Sequence, residues 1–345
     1  MTGTLTSKRY AIDEATDAVE FCHERGWTDG LPVVPPTPER VGAMLDAAKL
    51  DPRHQVAYIA HRAISITVEK VAINAVMAGC KHEYMPVVLA AIEGIGDPAW
   101  GYHGPGTSTG GAAVLIVVNG PIARELDINC GENLFGPGWR ANATIGRTVH
   151  LVMRNVCGSR PGTLDRATFG HAGKYSYVIA ENEAESPWPP LHLERGFRPD
   201  QSAVTVMAAE APHQVYNQLS NTAEGIVTAL CDDMRISGNM RGQPQYMLVI
   251  AGEHMRTFAG DGWTKARIRQ FVFDHTQNSH AHLKRTHRMP GEVLAGDETC
   301  LRPLVESPDD IHVVAAGGRG GPFSVYIPGW SSKRSSQAVT KEVKR

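Results

Sequence analysis

The sequence lacks most of the features that would name its chemistry at once. Six cysteines, Cys22, Cys80, Cys130, Cys157, Cys231 and Cys300, are scattered over 345 residues with no CxxC pair. That spacing argues against a zinc ribbon and against a thioredoxin-type centre. In a reducing compartment such thiols stay free. No run approaches the roughly 20 apolar residues of a membrane-spanning helix. The first twenty residues carry no apolar core of signal-peptide length. Charge is balanced as well: 34 Lys and Arg against 36 Asp and Glu give a net charge of −2. Such a chain has no basic footprint for nucleic acid or for an anionic membrane. The expectation is a cytoplasmic protein that binds neither.

What is present is a glycine-punctuated α/β pattern. Hydrophobic residues make up 42% and charged residues 20%, the balance of a globular chain with a core. Ala15, Ala18, Val19 and Cys22 recur at helical spacing and predict a helix over 11–24. Pro35, Pro36 and Pro38 then break the chain, and Thr37 caps the next helix with Pro38 at its first position. Two alanine-rich helices follow, over 67–79 and 84–95. Strand-like runs lie at 111–121, 175–180, 203–209 and 245–255. Helical patterns at 136–156, 223–234 and 262–276 separate them. Residues 311–330 read as two strands joined through GGRGG into a hairpin. The alternation predicts an α/β fold, a mixed sheet with helices on both faces, with room for two subdomains. Residues 1–60 read as an N-terminal helix and proline-rich arm, 61–330 as the α/β core, and 331–345 as a disordered basic tail. No internal repeat or low-complexity linker marks a boundary.

Ionisable groups crowd residues 170–196, GHAGKYSYVIAENEAESPWPPLHLERG. His171 and Lys174 precede a strand-like run, and Glu181, Asn182 and Glu183 follow it. If the strand continues, Glu181 and Glu183 share one face and Asn182 takes the other. Acids at a strand end can present proton-transfer groups at a sheet edge. His171, Lys174, Glu181 and Glu183 are therefore the candidate catalytic set. The competing reading is a surface loop tied by salt bridges.

A second candidate is the turn FGPGWRANATIGR. Gly136 and Gly138 let backbone amides approach a ligand, and the following helix offers its positive end. Arg140, Asn142, Thr144 and Arg147 would hold an anion there. No GK[ST] follows and the spacing is not GxGxxG, so the alternative is an ordinary tight turn. Arg319 in GGRGG joins the binding candidates if that turn forms an anion nest, and does not if the glycines serve a hairpin alone. Cys130, beside the first glycine turn, is the candidate nucleophile; Cys80, next to Lys81 and His82, is another. His275, His280, His282 and His287 have no acid or thiol at ligand spacing. They read as a solvated, mobile segment rather than a metal site.

Together the stretches GLPVVPPTPERV, TVEKVAINAVMAGC, VVNGPIAREL, FGPGWRANATIGR, PGTLDRATFGHAGKYSYVIAENEAESPWPPLHLERGF and GGPFSVYIPGW resemble a family of bacterial proteins encountered beside, or fused to, the UGSC (seleno)protein domain. The resemblance spans about residues 27–330. The UGSC domain is itself similar to selenoprotein subunits of glycine and betaine reductases, where a selenocysteine or cysteine cleaves a carbon–heteroatom bond. Here Cys157-Gly158-Ser159-Arg160 lacks the second thiol of such a site and follows a helix, so it is not read as that centre. The resemblance implies an enzyme, or the large subunit of one, that cleaves a carbon–heteroatom bond of a small anionic metabolite by lyase-type or reductive chemistry. It implies a homo- or hetero-oligomer, with a UGSC-type partner protein able to supply the thiol. Two other expectations stand beside it: a non-catalytic scaffold subunit of a thiol- or selenol-dependent enzyme, and a metal-dependent hydrolase built on the histidines. No cofactor is implied.

Overall fold

A computed structural model describes residues 5–12, 14–237 and 242–344. The chain begins with α1 (Ala15–Glu24), α2 (Pro38–Ala48), a hairpin of β1 (Gln55–Ile59) and β2 (Ile64–Thr67), then α3 (Val68–Ala78) and α4 (Met85–Ile95). Next come β3 (Ala113–Asn119), the short α5 (Pro121–Glu125), α6 (Arg140–Asn155), β4 (Val178–Ala180), α7 (Leu191–Glu194) and β5 (Ala203–Ala209). The remainder holds β6 (His213–Tyr216), α8 (Ala223–Ser237), β7 (Tyr246–Ile250), α9 (Gly252–Gly260) and α10 (Lys265–His275). A small ladder of β8 (Asn278–Ser279) and β9 (Leu301–Arg302) brackets α11 (His280–Arg285). The chain closes with β10 (Ile311–Ala315), β11 (Phe323–Pro328) and β12 (Val339–Glu342).

Two four-stranded mixed sheets organise these elements, one in the order β12-β5-β3-β4 and the other β10-β7-β11-β6. The two-residue period of a strand explains how they stack. In β3, Val114, Ile116 and Val118 pack with α3, α4 and α6, while Ala113, Leu115 and Val117 face the other sheet. In β7, Tyr246, Leu248 and Ile250 pack with α8, α9 and α10, while Met247 and Val249 face the first sheet. The fold is thus α/β in four layers: helices, sheet, sheet, helices. Helices cover both outer faces of the sheet pair, and each inner face is covered by the other sheet. That is why β3 is apolar along its whole length, with all seven residues buried. The helix starting at Pro38 forms as its sequence predicts, with Thr37 Oγ1 accepting from the Arg40 amide.

Four expectations change. GGRGG does not close a hairpin: β7 lies between β10, parallel to it, and β11, antiparallel to it. Gly317, at φ 109°, instead lets the crossover pass the start of α9, where a Cβ on it would fall 2.9 Å from Ala251 Cβ. The basic tail is not disordered, because β12 pairs antiparallel with β5 and completes the sheet edge. The strand expected over 175–180 shrinks to Val178–Ala180, since Ala172–Lys174 winds into a 3-10 turn. The histidine-rich segment is structured: Ser279 caps α11 through the His282 amide, and Ala281 and Leu283 are buried beneath it.

Candidate functional site

The two acids selected from the sequence lie just past the end of β4, in a buried network. The Glu181 side chain is fully enclosed. Its Oε1 accepts from Lys265 Nζ at 3.0 Å, and its Oε2 accepts from Asn119 Nδ2 at 2.8 Å and the Leu191 amide at 2.7 Å. Glu183 Oε1 accepts from the Gly120 amide at 2.7 Å and from Asn119 Nδ2 at 3.0 Å. Lys265 also lies 3.5 Å from Glu194, which pairs with Arg269 at 2.7 Å. The network ties α7 and α10 to the ends of β3 and β4. The strand-face argument does not apply, because β4 has ended; both acids converge on Asn119. Glu181 is saturated with protein donors, the arrangement of a structural ion pair.

The residues expected to hold an anion are also used by the fold. Arg140 donates from Nε and Nη2 to the Gly79 carbonyl. Asn142 Oδ1 accepts from the Asn129 amide at 2.8 Å, and its Nδ2 donates to the Val178 carbonyl at 2.9 Å. Thr144 Oγ1 donates to the Arg140 carbonyl. Arg147 grips Asp29 with both arms of its fork, at 2.7 and 2.8 Å. Arg319 turns outward, its side chain 76% exposed and paired with Glu185. Cys130 is half-buried. Burial, with Glu185, Glu132 and Glu183 nearby, pushes its thiol pKa up, the opposite of an activated nucleophile. Burial pushes Cys80 up as well. Segments 136–147 and 170–195 do meet, but in direct packing. Ser176 Oγ donates to the Asn142 carbonyl, and a Cβ on Gly146 would fall 2.3 Å from Ser176 Oγ.

His171 leads to a different place. It lines a cavity of about 430 Å³, within the range of small-molecule sites. One wall is the glycine-rich loop before β3. Gly104 packs under Trp330, where a Cβ would fall 2.2 Å from the indole, and Trp330 Nε1 donates to Ser108 Oγ at 2.7 Å. The Thr168 amide donates to the Thr109 carbonyl at 2.9 Å, laying the 168–171 loop alongside. The third wall is the step from β5 to β6, carrying Glu210 and His213. Phe169, 97% exposed, stands at the rim.

The backbone around Glu210 is fixed at three points. Its amide donates to the Pro328 carbonyl at 2.9 Å, and its carbonyl accepts from Tyr177 Oη at 3.2 Å. The preceding carbonyl, Ala209, meets His171 Nε2 at 3.3 Å. His171 Nδ1 accepts from the Gly173 amide at 3.2 Å, so its proton sits on Nε2. Both ring nitrogens of His171 therefore serve the backbone, and burial holds its pKa below the usual value. Lys174 Nζ is bound to Asp165 at 2.6 Å. The Glu210 carboxyl, by contrast, has no hydrogen bond or ion pair among the described residues, and burial alone raises its pKa. His213 stacks on Tyr326, with centroids 4.8 Å apart and planes at 9°. Its ring nitrogens make no hydrogen bond among the described residues.

A second cavity of about the same volume holds Arg198, Asp200, Glu342 and Lys344. These groups are already paired: Arg198 with Asp200, Gln201 with Glu342, and Lys344 with Glu93. Among the described residues it shows no unpaired acid/base couple of the Glu210–His213 kind.

Sequence reading reached the cavity only through His171. It missed Glu210, whose one signal is a lone acid directly after the apolar run AVTVMAA. No protein-family model matches the chain, and no curated protein matches it.

Proposed function

We propose that the chain is an enzyme, or the large subunit of one, that cleaves a carbon–heteroatom bond of a small polar molecule by elimination in the Glu210 cavity. The observation that carries this reading is Glu210 itself. It is a carboxyl without a partner among the described residues, held protonated to higher pH by burial, on a backbone tied by hydrogen bonds, lining the same cavity as His213. Such a pair can act as acid and base. His213 takes a proton from carbon while Glu210 gives its proton to the departing heteroatom. The carbon–hydrogen and carbon–heteroatom bonds break, and the carbon–hydrogen electron pair becomes the new double bond. Solvent then returns the proton to Glu210 and removes the one on His213. His171 is a positioning residue, acting through the Ala209 carbonyl.

Thr109 and Thr168 line the cavity, and among the described residues no arginine or lysine does, which favours a polar substrate over a multiply charged anion. Among the described residues no cysteine lines it either, so the reductive variant of this reading requires a thiol from a UGSC-type partner.

The test is a panel of small molecules carrying amine, hydroxyl or thiol leaving groups. Product is read by mass spectrometry, and carbon–hydrogen exchange in heavy water reports the base step. Glu210→Gln and His213→Gln should each cost about 100-fold or more in turnover. Full turnover by Glu210→Gln would sink the assignment.

A further inference from the structure

The last turn of α6 and the corner after it hold two arginines with no acid between them. Arg154 lies in that last turn, and Arg160 follows past Gly158, whose φ of 73° turns the chain back. Arg154 Nε is buried and unpartnered. Among the described residues neither guanidinium has a hydrogen bond or an ion pair. Burial draws the Arg154 pKa down, the charge of Arg160 adds to the fall, and that of Asp29 opposes it.

The nearby acids are already committed. Asp29 is gripped by Arg147 at 2.7 and 2.8 Å, and Asp165 by Lys174 at 2.6 Å. The walls are fixed. Asn155 Nδ2 donates to the Trp27 carbonyl at 2.8 Å, joining α6 to the 26–29 turn. Arg160 Nη1 lies over that turn, 3.8 Å from where a Cβ on Gly26 would sit. The Ser159 amide donates to the Met153 carbonyl at 2.9 Å, and Arg62 holds the Cys157 carbonyl at 2.7 Å.

A buried guanidinium N–H without an acceptor, as at Arg154 Nε, is costly, and guanidinium forks match the oxygens of phosphate and carboxylate. We infer that Arg154 and Arg160 form an oxyanion site, which takes the phosphate or carboxylate group of a small molecule between the end of α6, the 158–160 corner and the 26–29 turn. The anion expected from the sequence is then held by different arginines from those first selected. This site stands independently of the elimination cavity.

The test is calorimetric titration of the full chain with inorganic phosphate and, separately, with malonate, against chloride at matched ionic strength. Saturable binding of either anion at one per chain is expected, weakened at least tenfold in Arg154→Gln and in Arg160→Gln. Binding of phosphate alone or malonate alone assigns the class and supports the site. Arg160→Gln alters only a half-exposed side chain with no partner, so it keeps the test valid should Arg154→Gln fail to fold. The inference is overturned if neither anion binds beyond chloride, or if Arg160→Gln binds as the wild type does.

Discussion

Lys265 Nζ lies 3.0 Å from Glu181 Oε1, and neither side chain is more than 3% exposed. Removing one partner of such a pair strands the other as a buried charge. Lys265→Met should cost about 3–5 kcal/mol in stability. Adding Glu181→Gln to it should recover much of that loss, because the stranded charge is gone. Urea denaturation of the two variants measures both effects. A Lys265→Met protein as stable as the wild type would contradict the structural role given to Glu181.

The close approach of α6 to the segment before β4 depends on Gly146. A Cβ there would lie 2.3 Å from Ser176 Oγ and 2.9 Å from the Tyr177 amide nitrogen. Gly146 has an ordinary helical backbone, so the cost of Gly146→Ala is overpacking rather than conformation. About 1–3 kcal/mol of destabilisation is expected, read from the denaturation midpoint. A neutral or stabilising effect would show that the two segments can separate freely.

His150, on the same helix, has a pKa pushed down to about 4. Burial is the main cause, with the charges of Lys174 and His171 adding to it. The folded state keeps it neutral while the unfolded chain binds a proton below about 6.5. Stability is therefore lost as pH falls from about 6.5 toward about 4, by roughly 3 kcal/mol from this group at full extent. His150→Gln should flatten that part of the pH–stability curve. An unchanged slope between pH 6.5 and 4 would contradict the buried, neutral state.

Much of the architecture was legible because it rests on local signals. The β-branched run of β3, the Thr37-Pro38 cap of α2 and the alanine-rich pair α3 and α4 declare themselves in periodicity and capping. The pairing of two sheets was not legible. A strand buried on both faces reads the same whether helices or a second sheet cover it. The hairpin expected over 311–330 failed for a related reason: β7, some sixty residues earlier in the chain, inserts between β10 and β11. β12 was missed because Val-Thr-Lys-Glu is a polar edge strand whose only signal is its partner, β5. The site divides in the same way. Ionisable groups around residue 180 were visible, but not that Lys265, distant in sequence, would neutralise Glu181. Glu210 became conspicuous only when the 109–110 and 168–171 loops folded beside it and left it without a partner among the described residues.

The most direct test of the elimination site is the titration of Glu210 itself. Carbon-13 labelling of the glutamate carboxyls, with Glu210 assigned by its absence from Glu210→Gln, gives its pKa without knowledge of the substrate. Burial with no compensating donor predicts a midpoint above the usual glutamate value of about 4.3. A midpoint at or below that value would mean that Glu210 is ionised and paired, and would contradict its role as the proton donor.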